Sequence, residues 1–600
     1  MIESLLQTFR AVVYALFCLC LMGSVSGEDS VASKAMQDVF RSYHETYLIL
    51  FPIEATNFGD NRYNDRLMID IAPDFLAKER QFYRSTLEKL ATVDQRGCTE
   101  VEQLMAKVLK YEMEIRLEGM AFQHERIPLH QFDGLHLFFG QLGSGAGSQP
   151  FKSVKDYESW LQRIDGFCIW LRAAKDQFQT GIRDGYVLPR SLVVKMIPQF
   201  SDPSIASEKI EDCLFWGPIK SMPDSFSKDD QDRLKRAFET ALQDKLIPAY
   251  KEFGKFLEEE YLPKSRATSG ISSLPGGEEQ YRYWVRYWTT TSLTPDEIFS
   301  IGESEVARIL GEMKATQEKM GFQGTLPEFF SDLRSNPALM PYTEAKQVLA
   351  DFASIQAKIE PQLDRLFLNK PKTRFEIRRT EAFREATASA EYMPGSADGR
   401  RPGIFYVPIP EVSKFNVTSG MESLFLHEAI PGHHYQVSLQ QENASLPEFA
   451  KFLWYGAYGE GWALYCETLG EELGLYSDPK QKIGALGDEM HRAIRLVVDV
   501  GLHVKGWSRE KAIDYMMANE AISEQAAVAE IERYMAMPGQ ALSYKIGQLK
   551  LRELRARYEK RLNDKFSLAE FHHQILKDGG MPLTILEGRL DSWAEKQMTK

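Results

Sequence analysis

The sequence predicts a mainly α-helical protein with one small β-sheet, placed just before the densest cluster of chemically active side chains. Three observations carry that class. Apolar residues recur at helical period along most of the chain. β-Formers concentrate only around residues 374–379 and 403–407, with Gly, Ser and Pro between and beside them. The 600 residues are 44% hydrophobic and 26% charged, which fits a globular chain and excludes disordered, collagenous and membrane-transport classes. At about 150 residues per domain, this length holds two large units or roughly four smaller ones.

At the N-terminus, Arg10 precedes an apolar run over 11–22, shorter than the span of about 20 residues that a bilayer requires. Gly23, Ser24, Ser26 and Gly27 follow. This is the order of a secretory signal peptide over 1–27, so the mature chain, 28–600, is expected to be exported to the periplasm or beyond. If the segment is not cleaved, it anchors the chain to a membrane. Cys18 and Cys20 follow the bulky Phe17 and Leu19, which suits a lipoprotein signal poorly. No later stretch is apolar enough to span. Helical period then covers 75–90, 101–117, 157–178, 228–262, 295–320 and 344–366. Trp160, Trp170 and Phe178 read as helix core, 258–260 as a solvated acidic run, and His572 with His573 as paired surface imidazoles. The Gly/Ser/Pro-rich stretch 269–277 marks a seam between an N-terminal helical half, about 28–275, and a C-terminal catalytic half, about 276–600.

Composition also limits partners. The net charge is −13, with both signs interspersed and no basic stripe, so nucleic acid is not expected. Six Cys are too few for a disulfide scaffold, and the pairing of Cys98, Cys168, Cys213 and Cys466 is left open. Of eleven His, three fall within eight residues: His427, His433 and His434.

These lie in the string His427-Glu-Ala-Ile-Pro-Gly-His-His434. Ser419 and Glu422 fit a capping box, so a helix is expected to start near Gly420 and to carry His427 and Glu428 two turns in. A zinc-hydrolase helix normally reads H-E-x-x-H, with i and i+4 imidazoles on one face and the Glu as general base. Position 431 is Pro, so that motif fails. In a straight helix His433 points about 240° away from His427, and His434 shares the face but lies about 10 Å along the axis. Bonds of about 2.0–2.1 Å to one ion allow neither pair. The helix must therefore bulge, and Pro431-Gly432 permits it. Two inserted residues would bring His433 to the second-ligand place, which favours it over His434. A third ligand is needed; Glu460, 27 residues after His433 and near the start of the next helical segment, supplies one. Glu467 shares its face and either orients a ligand or is solvated.

At these residues the chain resembles the bacterial family of domain of unknown function 885. Besides the His string, Glu460-Gly-Trp-Ala-Leu-Tyr465, Asp499-Val-Gly-Leu-His503 and Arg533-Tyr-Met-Ala-Met-Pro-Gly-Gln-Ala-Leu-Ser-Tyr544 carry the likeness, as do stretches at 181–190 and 398–406. Such proteins look similar to helical zinc metallopeptidases of the thimet oligopeptidase and carboxypeptidase Taq kind. The resemblance implies one large helical fold around a deep channel with a single Zn²⁺ at its floor. His427, His433 and Glu460 would bind the ion. Glu428 would act as base, with His503, Tyr534 and Tyr544 as candidate oxyanion donors.

The expected activity is hydrolysis of short peptides. The alternatives are hydrolysis of another amide, such as a cell-wall fragment or acyl-amino compound, and a non-catalytic binding role. The strand at 403–407 is expected to offer an edge to an extended peptide. Arg400, Arg401, Arg533 and Lys545 could meet a substrate carboxylate, and the sequence assigns none of them.

Overall fold

Helices begin where short polar side chains can satisfy the first free N–H groups. Thr99, Ser153 and Thr294 each close a capping box with the acidic residue three positions on. The computed structural model describes residues 30–599 except 208, 382–384, 386–387 and 397–400; the expected signal segment and Arg400 lie outside the described residues. The chief helices, in chain order, are α1 (Val31–Leu50), α2 (Pro73–Thr92), α3 (Glu100–Gly119), α4 (Val154–Asp184), α5 (Lys228–Ala241), α6 (Ile247–Phe256), α7 (Pro295–Lys319) and α8 (Ala345–Leu366). Three strands follow: β1 (Phe375–Arg379), β2 (Glu391–Met393) and β3 (Gly403–Val407). Then come α9 (Met421–Glu428), α10 (His433–Glu442), α11 (Gly456–Glu467), α12 (Pro479–His503), α13 (Glu524–Ala536), α14 (Leu542–Leu562), α15 (Leu568–Leu576) and α16 (Leu583–Thr599). The class is mainly α with one small sheet, as the periodicity predicts. The stretch 228–262 is one helical path that widens into a π turn at Leu242–Leu246, just before Pro248, whose missing N–H breaks the regular ladder.

Two large apolar cores result. One joins α4–α6 to α7, α12 and α13; Trp160, Trp170 and Phe178 are buried in it, with Phe139 and Phe167 stacked at 4.1 Å. The other joins α1–α3 to α8, β3, α9, α11 and α14–α16. Each draws side chains from both sides of residue 275. His572 is buried in this second region rather than exposed: its Nδ1 meets the Leu366 carbonyl at 2.8 Å and its Nε2 the Tyr465 hydroxyl at 2.8 Å. Among the described residues Cys98, Cys168, Cys213 and Cys466 are buried and unpaired. Among the described residues no helix is long and apolar enough to cross a membrane.

The sheet order is β1-β3-β2, with β1 parallel and β2 antiparallel to β3. β3 is therefore central and buried along its length, not the edge that its sequence suggests. Its apolar run, Gly403-Ile-Phe-Tyr-Val407, reads as a strand of either kind, and only the pairing with the three-residue β2 decides. Among the described residues β1 and β2 are the two edges, and β2 is the one beside the cleft.

α11 and α14 cross where both lack a side chain. A Cβ on Gly461 would lie 2.5 Å from the Gly547 Cα, and one on Gly547 would lie 2.0 Å from the Ala457 carbonyl oxygen. This contact sets the position of α11 and hence of Glu460. Gly547→Ala is expected to push the helices apart at a cost of about 1–3 kcal/mol, seen as a lower urea midpoint. An unchanged midpoint contradicts that close approach.

Candidate metal centre

The helix carrying His427 starts where its sequence indicates, but not by the cap that its sequence suggests. Gly420 sits at φ 74° and no side chain caps it. Ser419 donates instead to the Asn416 carbonyl, and Glu422 accepts from the Tyr476 N–H at 2.6 Å. A Cβ on Gly484 of α12 would meet the Gly420 nitrogen at 2.4 Å, so bare backbone lets α12 close on α9. Ser423 on α9 then donates to Asp488 on α12 at 2.6 Å.

α9 ends at Glu428. Ala429 takes φ −102°, ψ −110°, the Ile430–Pro431 peptide is cis, and Gly432 takes φ −70°, ψ −123° before α10 begins at His433. The His434 N–H reaches back to the Ala429 carbonyl, and Trp462 of α11 donates its indole N–H to the Pro431 carbonyl at 3.0 Å. The break turns His433 back toward His427, their ring centroids 4.9 Å apart at 88°.

Ligand atoms of His427, His433 and Glu460 lie within 4.8 Å of one another. Both Nε2 atoms stand 3.5 Å from the same Glu460 oxygen. A tetrahedral ion with bonds of about 2.1 Å has ligand-to-ligand edges of about 3.4 Å, so these spacings fit one ion better than three hydrogen-bonded side chains. The His427 Nδ1 pairs with Glu467 at 2.7 Å, which fixes the ring and aims Nε2 inward. The buried His433 Nδ1 has no partner among the described residues. His434, the alternate ligand, faces the sheet: its Nδ1 is 3.0 Å from the Tyr392 hydroxyl, and burial lowers its pKa to about 4.

Glu428 is held from the sheet side, where the Tyr392 N–H donates to its Oε2 at 3.0 Å. Burial raises its pKa and Glu460 adds to that; His427, His433 and Arg492 pull it back without cancelling the rise. Burial also opposes charge on His427, but the carboxylates of Glu460 and Glu467 beside its two nitrogens prevail and lift it to about 10. Burial alone would raise Glu460; the two imidazoles hold it well below the usual carboxylate range. These groups open on a cleft of about 660 Å³, which the edge strand β2 and Trp454 also line.

The family profile described as bacterial protein of unknown function (DUF885) matches residues 52–590. The chain belongs to that family. Two solved structures are similar to it. One, described as a lipoprotein from Colwellia psychrerythraea, is 26% identical with a TM-score of 0.86, covering 94% of this chain and 99% of that one. The other, described as a lipoprotein of unknown function from Shewanella oneidensis, is 18% identical with a TM-score of 0.74, covering 92% and 99%. A structure described as an oligoendopeptidase F from Bacillus anthracis aligns at 13% identity and a TM-score of 0.25, too loosely to bear on fold or activity. No curated protein matches.

In this member of the DUF885 family, the three remaining candidates separate. Tyr544 lines the cleft, with the Arg495 guanidinium 4.6 Å over its ring. Tyr534 is buried, donates to Glu530 at 2.5 Å and accepts from Arg495 at 2.9 Å. His503 does not line the cleft. Its Nδ1 accepts from the Ile271 N–H and its Nε2 meets the Tyr534 carbonyl, both at 3.0 Å, and burial lowers its pKa to about 3. Both of its ring nitrogens serve the fold. Lys545 is wholly buried against Glu305 and Glu489. His491, Arg492 and Arg495 line the cleft and no sequence motif singled them out; the one available signal is their helical spacing on the face of α12.

Below about pH 10 the metal-free centre keeps a proton on His427, whose lone pair a metal requires. Loading a divalent cation at neutral pH is therefore expected to release about one proton, and affinity to climb as pH rises toward that value. Calorimetry in buffers of different ionisation enthalpy reads the release; no buffer dependence contradicts the charged His427.

Proposed function

We propose that this chain is an exported zinc-dependent peptidase acting on short peptides. The observation that carries this is the convergence of His427, His433 and Glu460 at tetrahedral spacing beside a buried carboxyl, Glu428, in an open cleft. Two imidazoles and a carboxylate suit zinc, and three protein ligands leave one position for reactants. When bound, the ion supplies a Lewis acid for the scissile carbonyl and acidifies water. The apolar segment at 11–22 and the description of the Colwellia protein support export.

The chain's own residues supply the rest. Glu467 holds the His427 ring in the tautomer that presents Nε2. The Tyr392 N–H orients Glu428, whose raised pKa suits a base that takes the water proton and returns it to the leaving amine. Tyr544, on the cleft wall, donates to the developing oxyanion. The edge of β2 lies beside the cleft, where an extended peptide adds as a strand.

Purified protein is expected to hold one zinc per chain and to cleave members of a short-peptide library. Glu428→Gln keeps the metal and loses about 10²–10⁴-fold in rate. Undiminished cleavage by the variant removes the base; no bound metal with no cleavage removes the proposal.

A further inference from the structure

The metal centre does not account for the cations that share its cleft. His491, Arg492 and Arg495 line it from α12, and Arg533 lines it from α13. Fewer carboxylates pair with them. Glu530 serves three, at 3.4 Å from His491, 3.2 Å from Arg495 and 3.6 Å from Arg533. Glu520 takes the other nitrogen of His491 at 3.0 Å, and Asp488 takes Arg492 at 3.3 Å while also accepting from Ser423. Glu467 also acts on Arg492, and Arg533 donates to Gln540 at 3.1 Å and lies 4.9 Å over the Phe132 ring. The bonding of this group is still incomplete: Arg492 Nε, Arg495 Nη1 and Arg533 Nε are buried without a partner among the described residues. Structural ion networks fill such positions, because an unmet buried donor is costly. Arg495 is locked by Tyr534, Tyr544 and Glu530. Arg492 and Arg533 keep 16% and 17% of their side-chain surface exposed, so a ligand in the cleft can reach them. Arg492 lines the same cleft as Glu428, His427, His433 and Glu460.

We infer that Arg492 and Arg533, backed by Arg495, bind the free C-terminal carboxylate of the peptide, so that the centre removes residues from C-terminal ends. The forked guanidinium matches a carboxylate's two oxygens, and a peptide held at its end presents a bond close to that end to the metal. This rests on the peptidase reading above and narrows its substrate class to peptides with an unblocked C-terminus. A carboxylate can also come from an acidic side chain, and the test separates the two sources.

Zinc-loaded Glu428→Gln protein, whose turnover is slowed about 10²–10⁴-fold, is titrated calorimetrically with one tripeptide in three forms: free acid, amide, and an amide ending in Glu. The free acid is expected to bind about 10–100-fold more tightly than either amide. Adding Arg492→Gln or Arg533→Gln is expected to remove most of that preference while zinc content stays the same. Equal binding of acid and amide overturns the inference. So does a preference that survives both Arg changes, a Glu-ended amide that binds like the acid, or no binding of any form. Turnover by wild type separates the two proposals. Equal cleavage of acid and amide refutes the carboxylate site alone. Cleavage of neither, with zinc bound and the acid preference intact, refutes the peptidase reading and leaves the carboxylate site standing.

Discussion

The carbonyl oxygen of His427 leaves no room for a side chain at position 432: a Cβ there would stand 1.9 Å from it, and 2.4 Å from the Leu426 carbonyl. A glycine is thus forced between α9 and α10, and the tight reversal it permits brings His433 back over the end of the preceding helix. The indole of Trp462 closes the reversal from α11, the helix that also carries Glu460 and Glu467. One backbone constraint therefore places two imidazoles, and one neighbouring helix both locks it and supplies the carboxylates.

Electrostatics follow from that packing. Three carboxyl groups and two imidazoles sit close together in the interior, an arrangement that burial alone would neutralise. They share charge instead: Glu460 stays ionised between two imidazoles, His427 stays protonated between two carboxylates, and Glu428 has its pKa raised because burial outweighs the pull of His427, His433 and Arg492. A divalent cation at the same point takes over the role of the proton on His427, which is the physical sense in which this cluster is built for a metal.

What was legible in the sequence was local. The helices, Gly420 as a start, and the need for a distorted segment at Pro431-Gly432 all follow from period, turn chemistry and the reach of a metal bond. The distorted segment distinguishes His433 from His434 because both lie on a known path from His427. What the sequence hides is pairing across distance. His503 looks free until Ile271, 232 residues earlier, donates to it. Tyr534 looks available until Arg495 and Glu530 claim its hydroxyl. β3 looks like an edge because the three-residue β2, too short to leave a pattern, covers its other side. The cations of α12 escape notice for the same reason: a helix face full of Arg reads as solvated until another wall is seen to close over it.

The reversal at Gly432 selects His433 over His434, and the metal content of two variants tests it directly. His433→Ala is expected to be purified without metal, while His434→Ala, whose ring faces Tyr392 and the sheet, keeps one ion per chain. Loss of the metal from His434→Ala together with its retention in His433→Ala would contradict the geometry on which the centre, its base and the cleft reading all rest.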